Sequence, residues 1–425
     1  MPKSKPPTTN YQSLSTPSQS LHNCDLEVAI VHDWLIGGGA ELVVEQLHEL
    51  FPDAPIYTSY CSPEWRKRLN NQVKTGYLQH WPFNKLRKFL PVLRILWFRK
   101  LKLDQYDLVI SSSGNGEAKH ILPTPSSWKL AISKWRTGTK PSSKEDSSPT
   151  TNYQSPTTKI KRPLHISYIH APTHFYWRHY DQYLKQPGFG IFNPLARIGL
   201  KLLVKPLRKW DYQAAQRPHR LLANSTHTQS EIDKFYGRKS TVVHPPVYLG
   251  RFSSAKAQSP RKGFIIAGRQ TPYKRFDIAV RACTKLNLPL TVIGTGPEHE
   301  KLKKIAGRTI TFLGRVSDHE LEQDLAAAEA FIFPAYEDFG IAPVEALASG
   351  TPVIAYKAGG ALDYVQEGRT GLFFKHQTVD SLISALERFP GHHFRPEVII
   401  KEAQAFSKKN FHKNIIDYLD QLRKI

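Results

Sequence analysis

Two doubly wound α/β domains in tandem are the fold class that this chain predicts. Three observations carry the prediction. The chain has 425 residues, enough for two or three domains. Outside two low-complexity stretches, short apolar runs alternate with helical patterns, which implies parallel sheets covered on both faces. The alternation comes in two series, separated near Pro245-Pro246, where two prolines follow a strand at Thr241-Val-Val.

The elements follow in order. Residues 1–25 are rich in Ser, Pro and Thr and read as a disordered tail. Leu26–Val31 opens the first domain as a strand. It runs into His32-Asp-Trp-Leu-Ile-Gly37-Gly38-Gly39-Ala40-Glu41. Glycines between a strand and a helix let backbone N–H groups approach a ligand closely. The pattern is not G-x-G-x-x-G, and a plain tight turn explains it as well. Strands at Leu108–Ser112, Leu164–Ile169 and Arg220–Ala223 continue this series. Between the second and third of these four strands, from about 123 to 163, lies the other low-complexity stretch, read as a disordered insertion. The heptapeptide PTTNYQS occurs at Pro7–Ser13 and again at Pro149–Ser155. Both copies lie in low-complexity sequence, so they are no solenoid repeat.

The second series has strands at Phe264–Ala267, Leu290–Ile293, Ile310–Leu313, Ala330–Phe333 and Val353–Ala355. The expected partition is a first domain over 26–246 and a second over 247–400. A C-terminal helix over 401–425 is expected to pack back on the first domain.

Composition bounds the function classes. No apolar run approaches the roughly 20 residues of a membrane span. The first residues have no apolar core, so they are no secretory signal. Three cysteines, Cys24, Cys61 and Cys283, show no close pair. They fit reduced thiols in a cytosol better than a disulfide frame or zinc site. Net charge is +23, which draws a chain to polyanions. Two stretches, Trp81–Lys102 and Phe192–Trp210, mix bulky apolar residues with bases. That composition suits helices on an anionic bilayer surface. The alternative is two amphipathic helices packed on the domain with basic outer faces. No nucleic-acid recognition motif accompanies the charge, so nucleic acid is not an expected partner.

Ligands in doubly wound folds sit beyond the C-terminal strand ends, so motifs there carry functional weight. Glu337–Ala355 reads EDFGIAPVEALASGTPVIA. Pro343 suits the first turn of a helix, Gly350 its left-handed cap, and Pro352 cannot continue it. The segment is therefore a loop with Glu337, a short helix with Glu345, and a buried strand. The helix N-terminus suits a phosphate, and acids beside it suit hydroxyl groups. Together they suggest a nucleotide sugar; two solvated helix-start acids remain the plain alternative. After the strand Phe264–Ala267 comes Gly268-Arg269-Gln-Thr-Pro-Tyr-Lys274-Arg275, whose cations can neutralise a diphosphate. Gly294-Thr-Gly296-Pro297 and Leu313-Gly314-Arg315-Val316 follow two further strands. They are simple turns or backbone against which a nucleotide base docks.

GRQTPYK, GTGP, FLGRV, EDFGIAPVEALASGTPVIA, GG and GLFF together resemble the retaining glycosyltransferase family 4 of the GT-B fold. The resemblance is strong over about Gly263–Phe374. It extends to the first half through HDWLIGGGAE, YIHAPTHFYW and ANSTHTQSEIDKFYGRKSTVVHPPV. Those segments look most like bacterial mannosyltransferases of O-antigen and exopolysaccharide synthesis.

The resemblance implies two Rossmann-like domains facing each other across a cleft. It implies that Arg269 and Lys274 grip the donor diphosphate, that Glu337 contacts sugar hydroxyls and that Glu345 holds the ribose. Phe339, Gly340 and Ile341 would lend backbone N–H groups to sugar and phosphate. Gly38 and Gly39 would face the diphosphate from the first domain, and His170 would lie near the reacting sugar carbon. Gly294 and Val316 complete the expected donor site. The sequence departs from the family in the insertion after Ser113 and at Arg217-Pro218-His219, where an acid is common.

The implied activity is hexosyl transfer with retained anomeric configuration. Mannose from GDP-mannose is the expected donor group and a lipid-linked oligosaccharide the expected acceptor. A UDP-sugar donor, or an inactive nucleotide-sugar or carbohydrate-binding protein, is the alternative. No Asp-x-Asp metal motif accompanies these groups, so a metal-independent reaction is expected, with no cofactor besides the donor. The expected place is the cytoplasmic face of the cell membrane, peripherally bound.

Overall fold

The computed structural model describes residues 26–86, 90–114, 116–122, 163–178, 180–185, 190–254 and 260–423. The N-terminal tail, Cys24, both PTTNYQS copies and nearly all of the insertion lie outside the described residues.

Thirteen strands build two all-parallel sheets among these residues. The first holds β1 Val28–His32, β2 Ile56–Thr58, β3 Val73–Lys74, β4 Leu108–Ser113, β5 Leu164–Ile169, β6 Arg220–Ala223 and β7 Thr241–Val242. Its order is β3-β2-β1-β4-β5-β6-β7. The second holds β8 Phe264–Ala267, β9 Leu290–Ile293, β10 Ile310–Gly314, β11 Ala330–Phe333, β12 Val353–Tyr356 and β13 Gly371–Phe374. Its order is β10-β9-β8-β11-β12-β13. The structural fold is thus the predicted pair of doubly wound domains. The sequence reading omits β2, β3 and β13. The first two have three and two residues, too short for an alternation to register. The third is a Gly-Leu-Phe-Phe run whose glycine is forced: a Cβ at Gly371 would stand 1.9 Å from the Val353 carbonyl oxygen.

Burial follows from this layering. β1, β4 and β5 are buried along their whole length, as central parallel strands are. Ile30, Ile110 and Ile166 face one side of the first sheet, and Ala29 and Val109 the other. In the second sheet Phe331 and Val353 face one side, Ile332 and Ile354 the other. The last helix, Lys408–Arg423, inserts Phe411, Ile415 and Leu419 into the core of the first sheet. The chain therefore passes between the sheets twice, and the two passes touch: the Val247 N–H donates to the Phe406 carbonyl at 2.9 Å.

In each sheet the strand order reverses beside the first strand, between β1 and β4 and between β8 and β11. Open α/β sheets bind ligands in the crevice at such a point. The turns after β1, β8 and β11 bear Gly38 and Gly39, Arg269 and Lys274, and Glu337; His170, Gly294 and Val316 follow β5, β9 and β10.

The two basic stretches fold differently. Within Trp81–Lys102 the helix Pro91–Arg99 buries Arg94, Ile95, Trp97 and Phe98, so much of that stretch is core. Arg94 lies 2.6 Å from buried Glu117 and over the Trp34 ring. Arg87 and Lys88 fall outside the described residues. The helix Asn193–Gln216 instead leaves Leu195 69% and Leu202 71% exposed, with Ile198 and Leu203 beside them. No helix among the described residues is long and apolar enough to cross a membrane.

Candidate functional site

The second domain contributes a loop pinned by glycines. Gly268 and Gly294, just after β8 and β9, both have positive φ. A Cβ on Gly294 would stand 2.1 Å from the Gly268 carbonyl oxygen, so the two strand ends meet backbone to backbone. Buried Gln270 locks the arrangement. Its amide donates to the Gly294 carbonyl at 2.7 Å, and its side-chain oxygen lies 2.8 Å from His299 Nδ1. Arg269 projects outward from this pinned turn. Lys274, one turn later, places Nζ 2.7 Å from Glu337 Oε1. Burial works against the Lys274 charge, but Glu337 and Tyr273 together hold the ammonium above its ordinary range.

Glu337 sits in the loop between β11 and the helix Ile341–Ala348. Gly360 donates its N–H to the Glu337 carbonyl at 2.9 Å. Tyr364 donates its hydroxyl to the Phe339 carbonyl at 3.0 Å. Gly340 has φ +87, and a Cβ there would meet Phe333 Cζ at 2.8 Å and the Tyr364 hydroxyl at 2.9 Å. The loop is therefore braced from below by Gly359, Gly360 and Tyr364. No side chain caps the Ile341 helix. Its first N–H groups can serve an anion. The Phe339 side chain is buried, so what Phe339 offers a ligand is backbone.

Glu345 stands on the second turn of the same helix, paired with Arg251 at 2.5 Å. Burial raises its carboxyl above the ordinary range, and Arg251 opposes that rise. Arg251 also lies 3.3 Å from Asp318. Val316, after β10, packs half-buried against the second-domain core. Sequence reasoning missed Arg251: it lies 94 residues before Glu345 in a short turn without a motif.

The first domain contributes a histidine relay. His32 Nδ1 lies 2.9 Å from the Ser112 carbonyl oxygen and 3.2 Å from its hydroxyl. The same hydroxyl lies 2.8 Å from His170 Nε2. Burial, then the neighbouring His32, push the His170 imidazole down to about 3, so it is neutral at pH 7. Asp33 ties the strand ends together by accepting the N–H groups of Gly114 at 2.8 Å and Ala118 at 2.5 Å. Ser112 and Asp33 are further residues the sequence reading passed over; Asp33 follows β1 and Ser112 is the last but one residue of β4, both at the switch point, which is the signal that finds them.

Gly38 and Gly39 open the helix Gly39–Leu50. A Cβ on Gly39 would stand 2.5 Å from Ile341 Cδ1. The glycine loop of one domain thus meets the start of the helix Ile341–Ala348 of the other. The structure brings Lys274, Glu337, Gly340, Ile341 and Gly39 to one place. His170 stands near that loop in the first domain, within 3.9 Å of the Cβ position of Gly114, which itself lies 3.8 Å from the Ala40 Cβ. Glu345 and Val316 belong to the neighbouring part of the second domain.

Among the described residues one group, His227, Glu231 and Asp338, has ligand atoms within 4.8 Å of one another, as a cation site would. Arg178 already serves these atoms: its guanidinium contacts His227, Glu231 and Asp338.

Residues 250–409 match the family model described as glycosyl transferases group 1. A D-inositol 3-phosphate glycosyltransferase of Streptomyces avermitilis is 33% identical over 195 residues, 38% of this chain and 42% of that protein. Sulfoquinovosyl transferase SQD2 of Arabidopsis thaliana is 32% identical over 157 residues, 35% of this chain and 31% of that protein. The chain spans less than half the length of these relatives. Their names point to inositol phosphate and sulfoquinovose rather than to O-antigen mannose. Among solved structures, the lipopolysaccharide outer core galactosyltransferase WaaB matches with TM-score 0.62 and 16% identity over 93% of this chain and 99% of that one. Anabaena HepE, solved with UDP and glucose, matches with TM-score 0.57 and 17% identity over 93% and 99%. These likenesses show the two-domain GT-B fold.

Proposed function

We propose that the protein is a retaining glycosyltransferase that moves a hexose from a nucleotide sugar held in the cleft between its two sheets. One observation carries the reading: the glycine loop after β1 abuts the uncapped helix after β11, beside the Lys274–Glu337 pair. Diphosphate needs cations and N–H groups; sugar needs neutral-hydroxyl acceptors. Arg269, Lys274 and the start of the Ile341 helix stabilise charge growing on the leaving diphosphate. Glu337 accepts from sugar hydroxyls, and Glu345 from the ribose. Lys274 is shared between Glu337 and the phosphate, so donor binding loosens the ion pair and frees Glu337 for the sugar. Neutral His170, engaged through Nε2 by Ser112, lies toward the reacting carbon. The match of residues 250–409 to a glycosyltransferase family supports this reading.

The donor is mannose from GDP-mannose and the acceptor a lipid-linked glycan of cell-surface polysaccharide synthesis, made at the cytoplasmic face. The first-half segments quoted above favour mannose. UDP-sugar use is the second reading, favoured by the UDP bound in HepE. The exposed apolar face of Asn193–Gln216, in a chain of net charge +23, supports docking on anionic lipid. Thermal-shift ranking of GDP against UDP on the full chain decides between the donors. Stabilisation by GDP at lower concentration supports mannose; stabilisation by UDP alone overturns it.

A further inference from the structure

We propose that Arg178 is a positioning residue, a clasp from the first domain that fixes the Glu337 loop when the two domains meet. The proposal rests on the nucleotide-sugar reading of that loop. Arg178 touches both chain neighbours of Glu337. Its Nη2 lies 2.7 Å from Asp338 Oδ1, and its guanidinium carbon stands 4.9 Å over the Tyr336 ring. His174, one turn earlier, takes the other Asp338 oxygen at 2.9 Å. On its far side Arg178 is anchored within its own domain: Nη1 lies 3.1 Å from Glu231 and contacts His227, both on the helix Thr226–Tyr236.

The cluster is enclosed, with Arg178 10% and Asp338 16% exposed. A charge so enclosed is costly without its partner. The second domain supplies only Tyr336 and Asp338 to the Arg178 contacts named here; the rest come from the first. Separation of the domains would thus leave the donor-side groups Lys274, Glu337 and Arg269 assembled, but release the loop on both sides of Glu337. A planar fork that serves a carboxylate, a second acid and an aromatic face at once is arginine chemistry, which lysine does not reproduce. A second inter-domain contact starts from the same helix: the Thr226 N–H donates to Asp363 at 2.9 Å, and His244 Nε2 lies 3.1 Å from that carboxylate. It touches the turn that braces the loop from below, not the loop itself.

The test uses the full chain and the variants Arg178→Ala, Arg178→Lys and Asp338→Asn. Hydrogen exchange at residues 334–341 needs no substrate and reads the clasp directly. Exchange there is expected to speed up about tenfold or more in Arg178→Ala and Asp338→Asn, while β8 and β11 stay protected. Unchanged exchange overturns the proposal. In nucleotide-sugar turnover, kcat falls about 10- to 100-fold with donor KM within about threefold, the pattern of lost closure rather than lost binding. Arg178→Lys recovers little. A raised KM with unchanged kcat, or full activity in Arg178→Ala, overturns it. If the wild-type chain turns over no nucleotide sugar, the donor reading fails and the exchange result still judges the clasp.

Discussion

Glu337 is ion-paired with Lys274 at 2.7 Å, and both belong to the proposed donor site. Replacing Glu337 by Gln removes a charged acceptor but keeps its size. Turnover should fall about 10- to 100-fold, the worth of a charged hydrogen bond, with the thermal midpoint almost unmoved. Equal turnover would remove its assigned role. Arg251 makes a different prediction, because it holds enclosed Glu345. Arg251→Met should lower stability by about 1–3 kcal/mol in urea unfolding, since it orphans an acid. Adding Glu345→Gln should restore most of that loss, and a simple sum of the two costs would deny the coupling. Both glutamates were legible in the sequence because a glycine, a proline and a helix pattern sit between them. Arg251, Arg178 and Ser112 were not, because each meets its partner through the fold and none stands at a local spacing.

Glycines decide the elements that form the cleft. Gly340 ends the Glu337 loop at φ +87 with Phe333 and Tyr364 closed around it. Gly340→Ala should cost about 2 kcal/mol or more from strained backbone plus displaced rings. Differential scanning calorimetry reads that loss; an unchanged midpoint would mean the loop relaxes freely. Central strands such as β4 and β5 were plain in the sequence as apolar runs bounded by turns. β2 and β3 were invisible because two or three residues carry no period, and they exist through pairing with a neighbour. The basic stretch Trp81–Lys102 showed the limit of composition. Its pattern resembles that of Asn193–Gln216, yet Arg94 turns inward to Glu117, and only tertiary packing makes that difference.

Charge governs the whole molecule in two ways. Burial first, then neighbouring cations or imidazoles, push His120, His165 and His170 down to about 3 and His227 to about 4. An unfolded imidazole titrates near 6.5, so below that pH the unfolded chain binds more protons. Their stabilisation is complete above pH 6.5 and is lost as pH falls toward 3 to 4. Glu117, pushed up to about 8 by burial against the pull of Arg94, runs the opposite way between about 4.5 and 8. Glu231, Glu322, Asp324 and Glu345, also raised by burial, act in the same sense as Glu117. His48, His219 and His412 join the lowered imidazoles and keep them in the majority, so stability should drop by about 1 kcal/mol or more per pH unit below 6.5. Urea midpoints at pH 7 and pH 5.5 check this; a higher midpoint at pH 5.5 contradicts it. The net charge of +23 and the exposed face of Asn193–Gln216 predict binding to vesicles containing phosphatidylglycerol. Leu195→Asp with Leu202→Asp should weaken that binding about tenfold or more, and salt should weaken what remains.

Release of nucleoside diphosphate from a panel of nucleotide sugars, by the wild-type chain and by Glu337→Gln and Arg269→Ala, tests the central claim most directly. The expected result is release from GDP-mannose by the wild type, cut about tenfold or more in both variants. Release from no nucleotide sugar, or release that both variants retain in full, contradicts a donor site in the cleft.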